Sequence, residues 1–281
     1  MKLSIITINY NNATGLKRTL DSVAKQIWTD FEHIIIDGGS KDDSVEIIRE
    51  YAKSNSFKYH IKWISEQDSG IYDAMNKGIA LSEGKYCLFL NGGDKLSNKN
   101  VINDIVSLGL QADIVCGDSI FEASKLHSTR NIISPDTIRA SYLILSYLPH
   151  QSSFIKRKLF DNIHKYDTEF RIVSDWLFFI EALLIYRVSY QHIPIVVSHC
   201  ETEGVSNNPM NCQLMEDEFQ RGLSKILPAF KDDYVELRSM RRERLTPKYN
   251  FLMQLDKSYI FKILWNIQKI KKILYKLWQR N

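Results

Sequence analysis

The chain is long enough to bury one sizeable core and to carry an additional segment, and its composition excludes several classes of protein. Of its 281 residues, 44% are hydrophobic and 25% are charged, which is ordinary for a globular protein. The 37 basic and 33 acidic residues give a net charge of +4, too small to indicate nucleic-acid binding. The four cysteines lack the paired spacing of a zinc or redox motif, so we expect free thiols in a reducing, cytoplasmic compartment.

The sequence predicts neither a signal peptide nor a membrane-spanning helix. It passes from Met1 and Lys2 directly into a strand-like run, which is not the pattern of a secretion signal. No uninterrupted apolar run approaches the roughly 18 residues that a spanning helix needs. The charge is nonetheless uneven, because residues 248–281 contain eight basic residues and one acidic residue.

Short β-type runs alternate with helical patterns through the first hundred residues. The strand-like runs cover residues 3–8, 31–36, 59–65 and 86–90. The helical patterns cover residues 16–26 and 44–54, and the segment 66–79 leads into a third helix. This βαβ rhythm predicts a parallel sheet with right-handed crossovers.

The second half of the chain has a less regular pattern, without an internal repeat or a low-complexity linker. We expect strands at 113–118 and about 193–199, with irregular strands across 119–133. We expect helices at about 100–110, 136–145, 174–186, 210–227 and 232–244. Since no linker interrupts the first part, the sequence predicts one domain over residues 1–210, followed by a helical extension over 211–247.

Three polar loops follow three of the predicted strands: Asn9–Asn12, Asp37–Asp43 and Asn91–Asp94. In open parallel sheets, ligands bind at this carboxyl edge, and glycines let the backbone approach a bulky group closely. For residues 91–94 taken alone, an ordinary turn after a buried strand is the alternative. The dinucleotide fingerprint G-x-G-x-x-G is absent, and the run 78–85 lacks the spacing of a P-loop.

Six segments carry a family resemblance when they are taken in chain order. They are LSIITINYN, IIIDGGSKDDS, SEQDSGIYDAMNKGI, YCLFLNGGD, HQSSFIKRKLF and SDWLFF. Over roughly residues 1–206 they resemble the inverting glycosyltransferases of family 2, in particular the bacterial branch that builds surface polysaccharides. The resemblance implies an α/β fold of the GT-A type. Such a fold has a Rossmann-like, mostly parallel central sheet flanked by helices, here with a C-terminal helical extension.

The resemblance also implies a nucleotide-sugar donor, and a UDP-sugar in particular. In the family, the aspartate after the second strand, here Asp37, contacts the base, which is usually uracil. Lys77 is expected near the donor diphosphate. The alternative is that its side chain lies on a solvated face of the helix. The residues predicted to bind the donor are Thr7, Asn9, Tyr10, Asn11, Asp37, Ser40, Asp68, Gly70, Lys77, Asn91, Gly92 and Gly93.

A divalent cation, Mg²⁺ or Mn²⁺, is the cofactor that the resemblance implies. The family motif is Asp-x-Asp or a close variant, whereas this chain reads Asn91-Gly-Gly-Asp94, so only Asp94 can be a charged ligand. Both cations prefer oxygen ligands, and either would offset the charge that develops on a leaving diphosphate. His199, which ends a strand before an acidic loop, is a candidate second ligand, with a structural histidine as the alternative.

Direct displacement also needs a base that takes the proton from the acceptor hydroxyl. Asp175 opens an apolar helix, and a carboxylate in the first turn of a helix stays ionised. Its alternative role is a helix cap, which Ser174 could supply instead. We expect His150, Gln151 and Trp176 to position the acceptor or the donor. For His150 the alternative is a buried, hydrogen-bonded histidine.

The tail, residues 248–281, has the pattern of a basic amphipathic helix. Apolar residues recur at helical spacing at Ile260, Ile263, Leu264, Ile267, Ile270, Leu274 and Leu277, with lysines on the other side. Trp265 and Trp278 suit a membrane interface. We therefore predict a peripheral enzyme on the anionic inner face of the bacterial plasma membrane, where it meets a lipid-linked saccharide acceptor. The alternatives are packing on the domain or on a second subunit of a homo-oligomer.

Two other functions are alternatives to glycosyl transfer. A nucleotidyltransferase that makes sugar nucleotides would need a basic, glycine-rich amino-terminal loop, which Asn9–Asn12 is not. An inactive nucleotide-sugar-binding scaffold at the membrane is favoured by Asn91 but opposed by the presence of Asp94 and Asp175. The sequence therefore predicts a metal-dependent inverting glycosyltransferase of capsular, exopolysaccharide or O-antigen biosynthesis, with no nucleic-acid partner.

Overall fold

The structure, a computed structural model, describes residues 3–123, 128–201, 204 and 208–244. The strands are β1 Leu3–Asn9, β2 Phe31–Asp37, β3 His60–Ser65, β4 Tyr86–Asn91, β5 Lys95–Leu96, β6 Ile114–Ala123, β7 Ser128–Ile132, β8 Ser153–Lys156 and β9 Tyr190–Glu201. The α-helices are α1 Ala13–Ala24, α2 Ser44–Asn55, α3 Ile71–Leu81, α4 Val101–Leu108, α5 Ala140–Leu145, α6 Lys158–Asn162, α7 Ser174–Ile180, α8 Cys212–Ile226 and α9 Lys231–Arg244.

The described strands form one mixed sheet in the order β3-β2-β1-β4-β8-β6-β9-β5, with β7 paired to β6. The strands β3, β2, β1 and β4 run parallel to one another. The strand β8 is antiparallel to both β4 and β6, and it shares only two residue pairs with β4. Since β6 and β9 are again parallel, most strands point the same way, which confirms the predicted α/β class.

The inner strands β1 and β2 of the parallel half are buried because helices cover both faces of the sheet there. Every residue of β1 and of β2 is buried, as expected for strands covered on both sides. Successive side chains of β1 point to opposite faces: Ile5 packs in one cluster with Leu16 and Leu20 of α1, while Ile6 faces α3. A Cβ atom on Gly78 of α3 would lie 2.4 Å from Cγ2 of Ile6, so the glycine lets α3 lie directly on β1.

Three of the observed elements refine what the sequence predicts: the start of α1, the end of α7 and the strands β6 and β7. The side chain of Asn12 accepts a hydrogen bond from the backbone N–H of Gly15, so Asn12 rather than Thr14 is the cap. The predicted helix 174–186 is α7 followed by a wider π-helical turn at Glu181–Ile185. The predicted irregular strands at 119–133 are a regular antiparallel pair, β6 and β7.

The first compact unit extends beyond the boundary that the sequence suggests. It covers Met1–Pro228, and a second unit covers Ala229–Asn281. The helix α8 belongs to the first unit because the buried carboxylate of Glu218 accepts the backbone N–H groups of Arg171 and Ile172, at 2.8 and 2.9 Å. The domain boundary at residue 210 stays a prediction. The predicted tail lies outside the described residues.

None of the described helices is both long and apolar enough to cross a bilayer.

His33 on β2 is a buried imidazole whose protonation opposes folding. Its Nε2 lies 2.9 Å from the hydroxyl of Thr7, and its Nδ1 lies 2.6 Å from the hydroxyl of Tyr51. Burial lowers the pKa of His33 to about 3, whereas an unfolded histidine has a pKa of about 6.5. Because the folded pKa is the lower one, the stabilisation is complete above pH 6.5 and is lost as the pH falls towards 3.

We expect acid to destabilise the wild-type protein more than the His33→Gln variant, which has no group that titrates there. Between pH 6.5 and pH 4.5 the proton taken up by the unfolded chain should lower the free energy of unfolding by about 2 kcal/mol. Urea unfolding of both proteins at the two pH values measures this difference. An identical pH dependence in the two proteins would show that His33 is protonated in the folded state.

Candidate active site

The ends of three parallel strands converge at one edge of the sheet. The register of β1 places Asn9 beside Asp37 of β2, and it places Ile8 beside Asn91 of β4. Backbone bonds continue the pairing into the loops, from Gly38 N–H to the carbonyl of Asn9 and from Gly92 N–H to the carbonyl of Ile8. The predicted loops therefore do share one edge, where ligands of open α/β sheets bind.

Asp37 organises two of these loops through its carboxylate. The side chain of Asn9 donates to Oδ1 at 3.0 Å, the N–H and hydroxyl of Ser40 donate at 2.9 and 2.5 Å, and Ser65 donates at 2.7 Å. Burial by itself raises the pKa of Asp37, but these donors hold it below its ordinary value. Since the carboxylate is buried and already has four donors, its predicted contact with a base would have to replace one of these bonds.

Tyr10 and Asn11 form the exposed rim of the same edge. The Tyr10 side chain is 64% exposed. Asn11 has a φ of 48°, a left-handed conformation that asparagine tolerates well. Its N–H donates to the hydroxyl of Ser40, and its Oδ1 accepts from the N–H of Lys41, both at 2.8 Å. The rim loop is therefore tied to the Asp37 loop, and it leaves an aromatic ring facing outward.

Asp68, Gly70 and Lys77 lie on the segment that leads into α3. Asp68 accepts the N–H of Gly70 at 3.0 Å, and burial raises the pKa of its carboxyl. A Cβ atom on Gly38 would lie 2.5 Å from Asp68 Oδ2, which places Asp68 beside the Asp37 loop. Lys77 is held by Glu66 at 2.8 Å and by the carbonyl of Gln67 at 3.1 Å. Lys77 would therefore exchange these contacts for any contact with a diphosphate.

Asp94 is a buried carboxylate without an ion-pair partner among the described lysines and arginines. Its Oδ2 accepts the backbone N–H of Asn91 at 3.0 Å, and it also receives a bond from the side chain of Gln151. Burial raises the pKa of Asp94 to about 6, against the lowering effects of His150 and of these bonds. The carboxylate is thus ionised at neutral pH at a desolvation cost that a bound cation would offset.

The glycines beside Asp94 are required by close contacts. A Cβ atom on Gly92 would lie 2.6 Å from Oδ1 of Asn9. Gly93 has a φ of +118°, and a Cβ atom there would lie 2.8 Å from the carboxylate of Glu201, which pairs with Arg18. The neighbouring Oδ1 of Asn91 is buried and has no hydrogen-bond partner in the described part of the chain. This oxygen can therefore accept a hydrogen bond from a bound ligand.

Asp175 lies across from this loop and receives three hydrogen bonds. The hydroxyl of Tyr72 lies 2.7 Å from Oδ1, and Nδ1 of His150 lies 2.9 Å from Oδ2. The backbone N–H of Trp176 is the third donor. Burial alone raises the pKa of Asp175, but His150, Tyr72 and Trp176 hold it below its ordinary value. Ser174 does not cap α7, since its hydroxyl has no partner among the described residues.

His150 connects the two sides of the site. Its ring contacts Asp175 through Nδ1, and its Nε2 lies 3.4 Å from Nδ2 of Asn91. The next residue, Gln151, bonds to Asp94. Trp176 is buried and donates its indole N–H to the carbonyls of Leu143 and Ser146. The predicted residues His150 and Gln151 thus lie beside Asp175 and Asp94, whereas the Trp176 side chain supports the chain before His150.

Thr7 and His199 are not brought to this cluster. The Thr7 side chain is fully buried and bonds to His33, because a strand covered on both faces has no exposed side. Nδ1 of His199 lies 2.5 Å from Glu122, and His199 pairs in register with Lys95. The thiol of Cys200, rather than His199, contacts Asp94. The structure thus pairs His199 with Glu122, and the described residues contain no group of three or more metal-binding side chains.

Tyr72 is the residue of this cluster that the sequence does not reveal. It lies in the first turn of α3, and its hydroxyl reaches both Asp175 and the carbonyl of Ile172 at 2.7 Å. The contact joins residues 103 positions apart, and no local pattern signals such a pairing. Arg18 and Glu201, which meet beside Gly93, are hidden from sequence analysis for the same reason.

Two solved structures share the architecture of this chain. TarS of S. aureus, residues 1–349 in complex with UDP-GlcNAc, superposes with a TM-score of 0.64 at 18% identity, covering 94% of this chain and 78% of that chain. A mannosyltransferase from Pyrobaculum calidifontis, in complex with GDP-Man and Mn²⁺, gives a TM-score of 0.57 at 13% identity, covering 99% and 88%. At these identities the likeness concerns the fold, and it confirms the predicted GT-A architecture.

Sequence comparison gives the family directly. The family described as Glycosyl transferase family 2 matches residues 4–183. A PGL/p-HBAD biosynthesis glycosyltransferase of Mycobacterium tuberculosis is 31% identical over 231 residues, which are 76% of this chain and 82% of that protein. An uncharacterized glycosyltransferase of the same organism is 36% identical over 187 residues, 65% of this chain and 69% of that one. The chain therefore belongs to glycosyltransferase family 2.

Proposed function

We propose that this glycosyltransferase moves one sugar from a nucleoside-diphosphate sugar, specifically a UDP-sugar, to an acceptor hydroxyl with inversion at the anomeric carbon. The observation that carries the proposal is the line of contacts from Asn91 through His150 to Asp175. It links the loop that bears Asp94 to a second ionised carboxylate. A transfer by direct displacement needs a cation on the leaving-group side and a proton acceptor on the other side.

The donor is proposed to lie along the carboxyl edge of β1, β2 and β4. The exposed ring of Tyr10 offers a surface for stacking on the base, and Asp68 offers a partly exposed carboxylate beside the Asp37 loop. The unpartnered Oδ1 of Asn91 can accept a hydrogen bond from the sugar nucleotide. TarS, which shares the fold, binds UDP and UDP-GlcNAc, and this supports a uridine nucleotide as the first candidate.

Asp94 is the residue that we propose to hold Mg²⁺ or Mn²⁺. A buried carboxylate without a described ion-pair partner fits a hard cation, whose remaining ligands would be phosphate oxygens and water. When bound, the cation supplies positive charge that stabilises the departing diphosphate. The Pyrobaculum mannosyltransferase, of the same fold, binds Mn²⁺ together with its sugar nucleotide, which supports a metal here.

Proton removal is proposed to depend on Asp175. The acceptor oxygen attacks the anomeric carbon on the face opposite the diphosphate, so a single displacement inverts the configuration. Three hydrogen bonds keep the Asp175 carboxylate ionised, and negative charge at this point favours loss of the hydroxyl proton. The partly exposed His150 and Asp175 side chains, at 14% and 18%, leave room for an acceptor to approach.

A panel of UDP-, GDP- and dTDP-sugars with and without Mn²⁺ tests the proposed reaction. A ligand that binds only the folded protein raises its melting temperature, so the true donor should do so in a Mn²⁺-dependent way. Release of the free nucleoside diphosphate from that donor then reports transfer. Binding without any release, over a range of saccharide acceptors, would instead favour the inactive scaffold. The absence of any stabilising sugar nucleotide would contradict the proposal itself.

The acceptor is proposed to be a lipid-linked saccharide of surface-polysaccharide biosynthesis, met at the inner face of a bacterial plasma membrane. The support comes from the amphipathic pattern of residues 260–277 and the seven basic residues from Lys257 to Arg280. Each basic residue near an anionic surface contributes up to about 1 kcal/mol, and this attraction weakens as salt rises. The apolar side would add a contribution that salt does not screen.

Removal of residues 248–281 is expected to abolish binding to acidic vesicles while the shortened protein still binds nucleotide, because the donor loops all lie before residue 100. The full-length protein should sediment with the vesicles at low salt and in part at high salt. Co-sedimentation of both proteins across a salt series measures this. Equal sedimentation, or a shortened protein that does not fold, would place the segment in the domain core or in a subunit contact.

A further inference from the structure

A partly exposed aromatic ring, that of Tyr147, borders the proposed site on the side of β6. It lies in the chain between α5 and the turn before β8, and it is 38% exposed. Its ring packs edge-on against Phe121 of β6, with the centroids 6.4 Å apart. Phe121 belongs to a small buried cluster with Ile132 and Cys200, and the thiol of Cys200 contacts Asp94. A packed cluster next to the metal loop thus supports one side of the Tyr147 ring, and the rest of the ring is open to a ligand.

The same ring is close to the proposed base. Burial raises the pKa of the Tyr147 hydroxyl, and the negative charge of Asp175 adds to this effect. The residue after Asp175, Trp176, donates its indole N–H to the carbonyl of Ser146 at 3.0 Å. The hydroxyl of Tyr142 donates to the carbonyl of Tyr147 at 3.2 Å. The loop that carries the ring is therefore fixed beside Asp175 before any acceptor binds.

Arg130 on β7 brings a positive charge to this ring. It pairs in register with Phe121, and the side chains of directly opposed residues in antiparallel strands share one face. Its charge opposes the effect of burial on the pKa of the Tyr147 hydroxyl. The side chain of Arg130 is exposed and has no ion-pair partner in the described part of the chain. The nearby Glu122 points to the other face of β6, where it contacts His199. The guanidinium is therefore available to an anion.

We propose that Tyr147 and Arg130 form an acceptor subsite that selects a saccharide carrying an anionic group, either a phosphate or a carboxylate; this inference rests on the proposed transfer. An aromatic ring offers a broad apolar surface to the C–H face of a sugar. The planar fork of an arginine matches the oxygens of both anions. Because the charges of Arg130 and Asp175 both act on Tyr147, a sugar lying on this ring has the proposed base and a cation within reach.

Two kinds of acceptor carry such an anion. A phosphate is present where a saccharide is joined to a lipid through a phosphate or diphosphate, and a carboxylate is present where the saccharide contains an acidic sugar. Three probes distinguish them: methyl α-D-glucoside, which is neutral, methyl α-D-glucuronide and α-D-glucose 1-phosphate. Stronger binding of the phosphate than of the glucuronide would indicate the lipid linkage, and the reverse order would indicate an acidic sugar.

Saturation-transfer difference NMR of the full chain measures the affinity of each probe. The protein is first loaded with UDP and Mg²⁺, so that the proposed nucleotide site is occupied and does not take up the anionic probes. We expect at least one anionic probe to bind roughly tenfold or more tightly than the glucoside, the scale of a hydrogen bond to a charged group.

Substitutions assign the preference to its residues. Arg130→Ala should bind the anionic probes no more tightly than the glucoside, and Arg130→Lys should keep part of the preference because it keeps the charge without the fork. Tyr147→Ala should weaken all three probes, whereas Tyr147→Phe, which keeps the ring, should bind the glucoside as wild type does. Arg49→Ala is the matched control, since Arg49 is an exposed arginine that pairs with Glu46 on α2. UDP affinity in the same samples shows that each variant is folded.

The outcomes separate this inference from the proposed function. Equal binding of the three probes by the wild type, no binding of any probe, or an anion preference that survives Arg130→Ala would overturn the subsite, while release of nucleoside diphosphate from a sugar nucleotide would still support the transfer. Conversely, a protein that shows the Arg130-dependent preference but releases no nucleoside diphosphate would contradict the proposed function and support the anion-binding subsite.

Discussion

Asp94→Asn should abolish the Mn²⁺-dependent part of nucleotide binding. Asparagine keeps an oxygen that can accept the N–H of Asn91, but it removes the charge that we propose to hold the cation. We expect UDP affinity in the presence of Mn²⁺ to fall by roughly a hundredfold, which corresponds to about 3 kcal/mol. Without metal, wild type and variant should bind UDP with similar, weak affinity. Isothermal titration calorimetry with and without Mn²⁺ measures both values.

The same substitution should not weaken the fold. The pKa of Asp94 is raised to about 6 by burial, so keeping it ionised at pH 7 costs on the order of 3 kcal/mol. Asp94→Asn removes that cost, and the metal-free variant should melt at or above the temperature of the wild type. Asp104→Asn, at an exposed position on α4, is the matched control. Mn²⁺-enhanced binding that survives Asp94→Asn would place the cation elsewhere.

Asp175→Asn should lower turnover by roughly a hundredfold or more, the usual scale of general-base contributions, with little change in donor affinity. The amide can still accept from Tyr72, so the local packing is kept. It lacks the negative charge that favours loss of the proton from the acceptor hydroxyl. The rate of nucleoside-diphosphate release, together with a calorimetric donor affinity, separates the two effects.

Glu181→Gln provides the control for that experiment. Glu181 pairs with His164 as Asp175 pairs with His150, at 2.6 and 2.9 Å respectively, but it lies outside the proposed site. Its replacement should leave turnover within a few-fold of wild type. If Asp175→Asn also retained near-normal turnover, proton removal would have to be assigned to a different group.

The parallel half of the fold could be predicted closely from the sequence because burial there follows a simple rule. Strands covered by helices on both faces read as continuous apolar runs, and β1, β2 and β4 begin at the predicted residues. The convergence of their loops follows from parallel topology alone. The same rule explains the position of Thr7, since a polar residue in a strand covered on both faces points into the interior and bonds to an internal partner, here His33.

The proton-accepting half could be predicted only in part, because long-range contacts between side chains determine it. The motifs indicated His150 and Asp175 separately, but nothing in their spacing shows that they touch or that Tyr72 joins them. His199 has the residue type of a metal ligand, yet its Nδ1 contacts the carboxylate of Glu122 on the neighbouring strand β6. The carboxylate of Glu218, which fixes the chain before α7, comes from beyond the predicted domain boundary.

The short junction between β4 and β8 separates two functions in one sheet. Only two residue pairs join the two strands, Tyr86 with Lys156 and Cys87 with Ile155. The strands β1, β2 and β4, whose loops are proposed to bind the nucleotide, lie on one side of this junction. His150 and Asp175 belong to segments on the other side. Side-chain bonds from Tyr72 to Asp175 and from Asn91 to His150 also cross this junction, so the two sides are held together mainly at the site itself. Residues away from these bonds can therefore vary on one side with the donor and on the other with the acceptor, whereas the residues that form the bonds constrain both sides together.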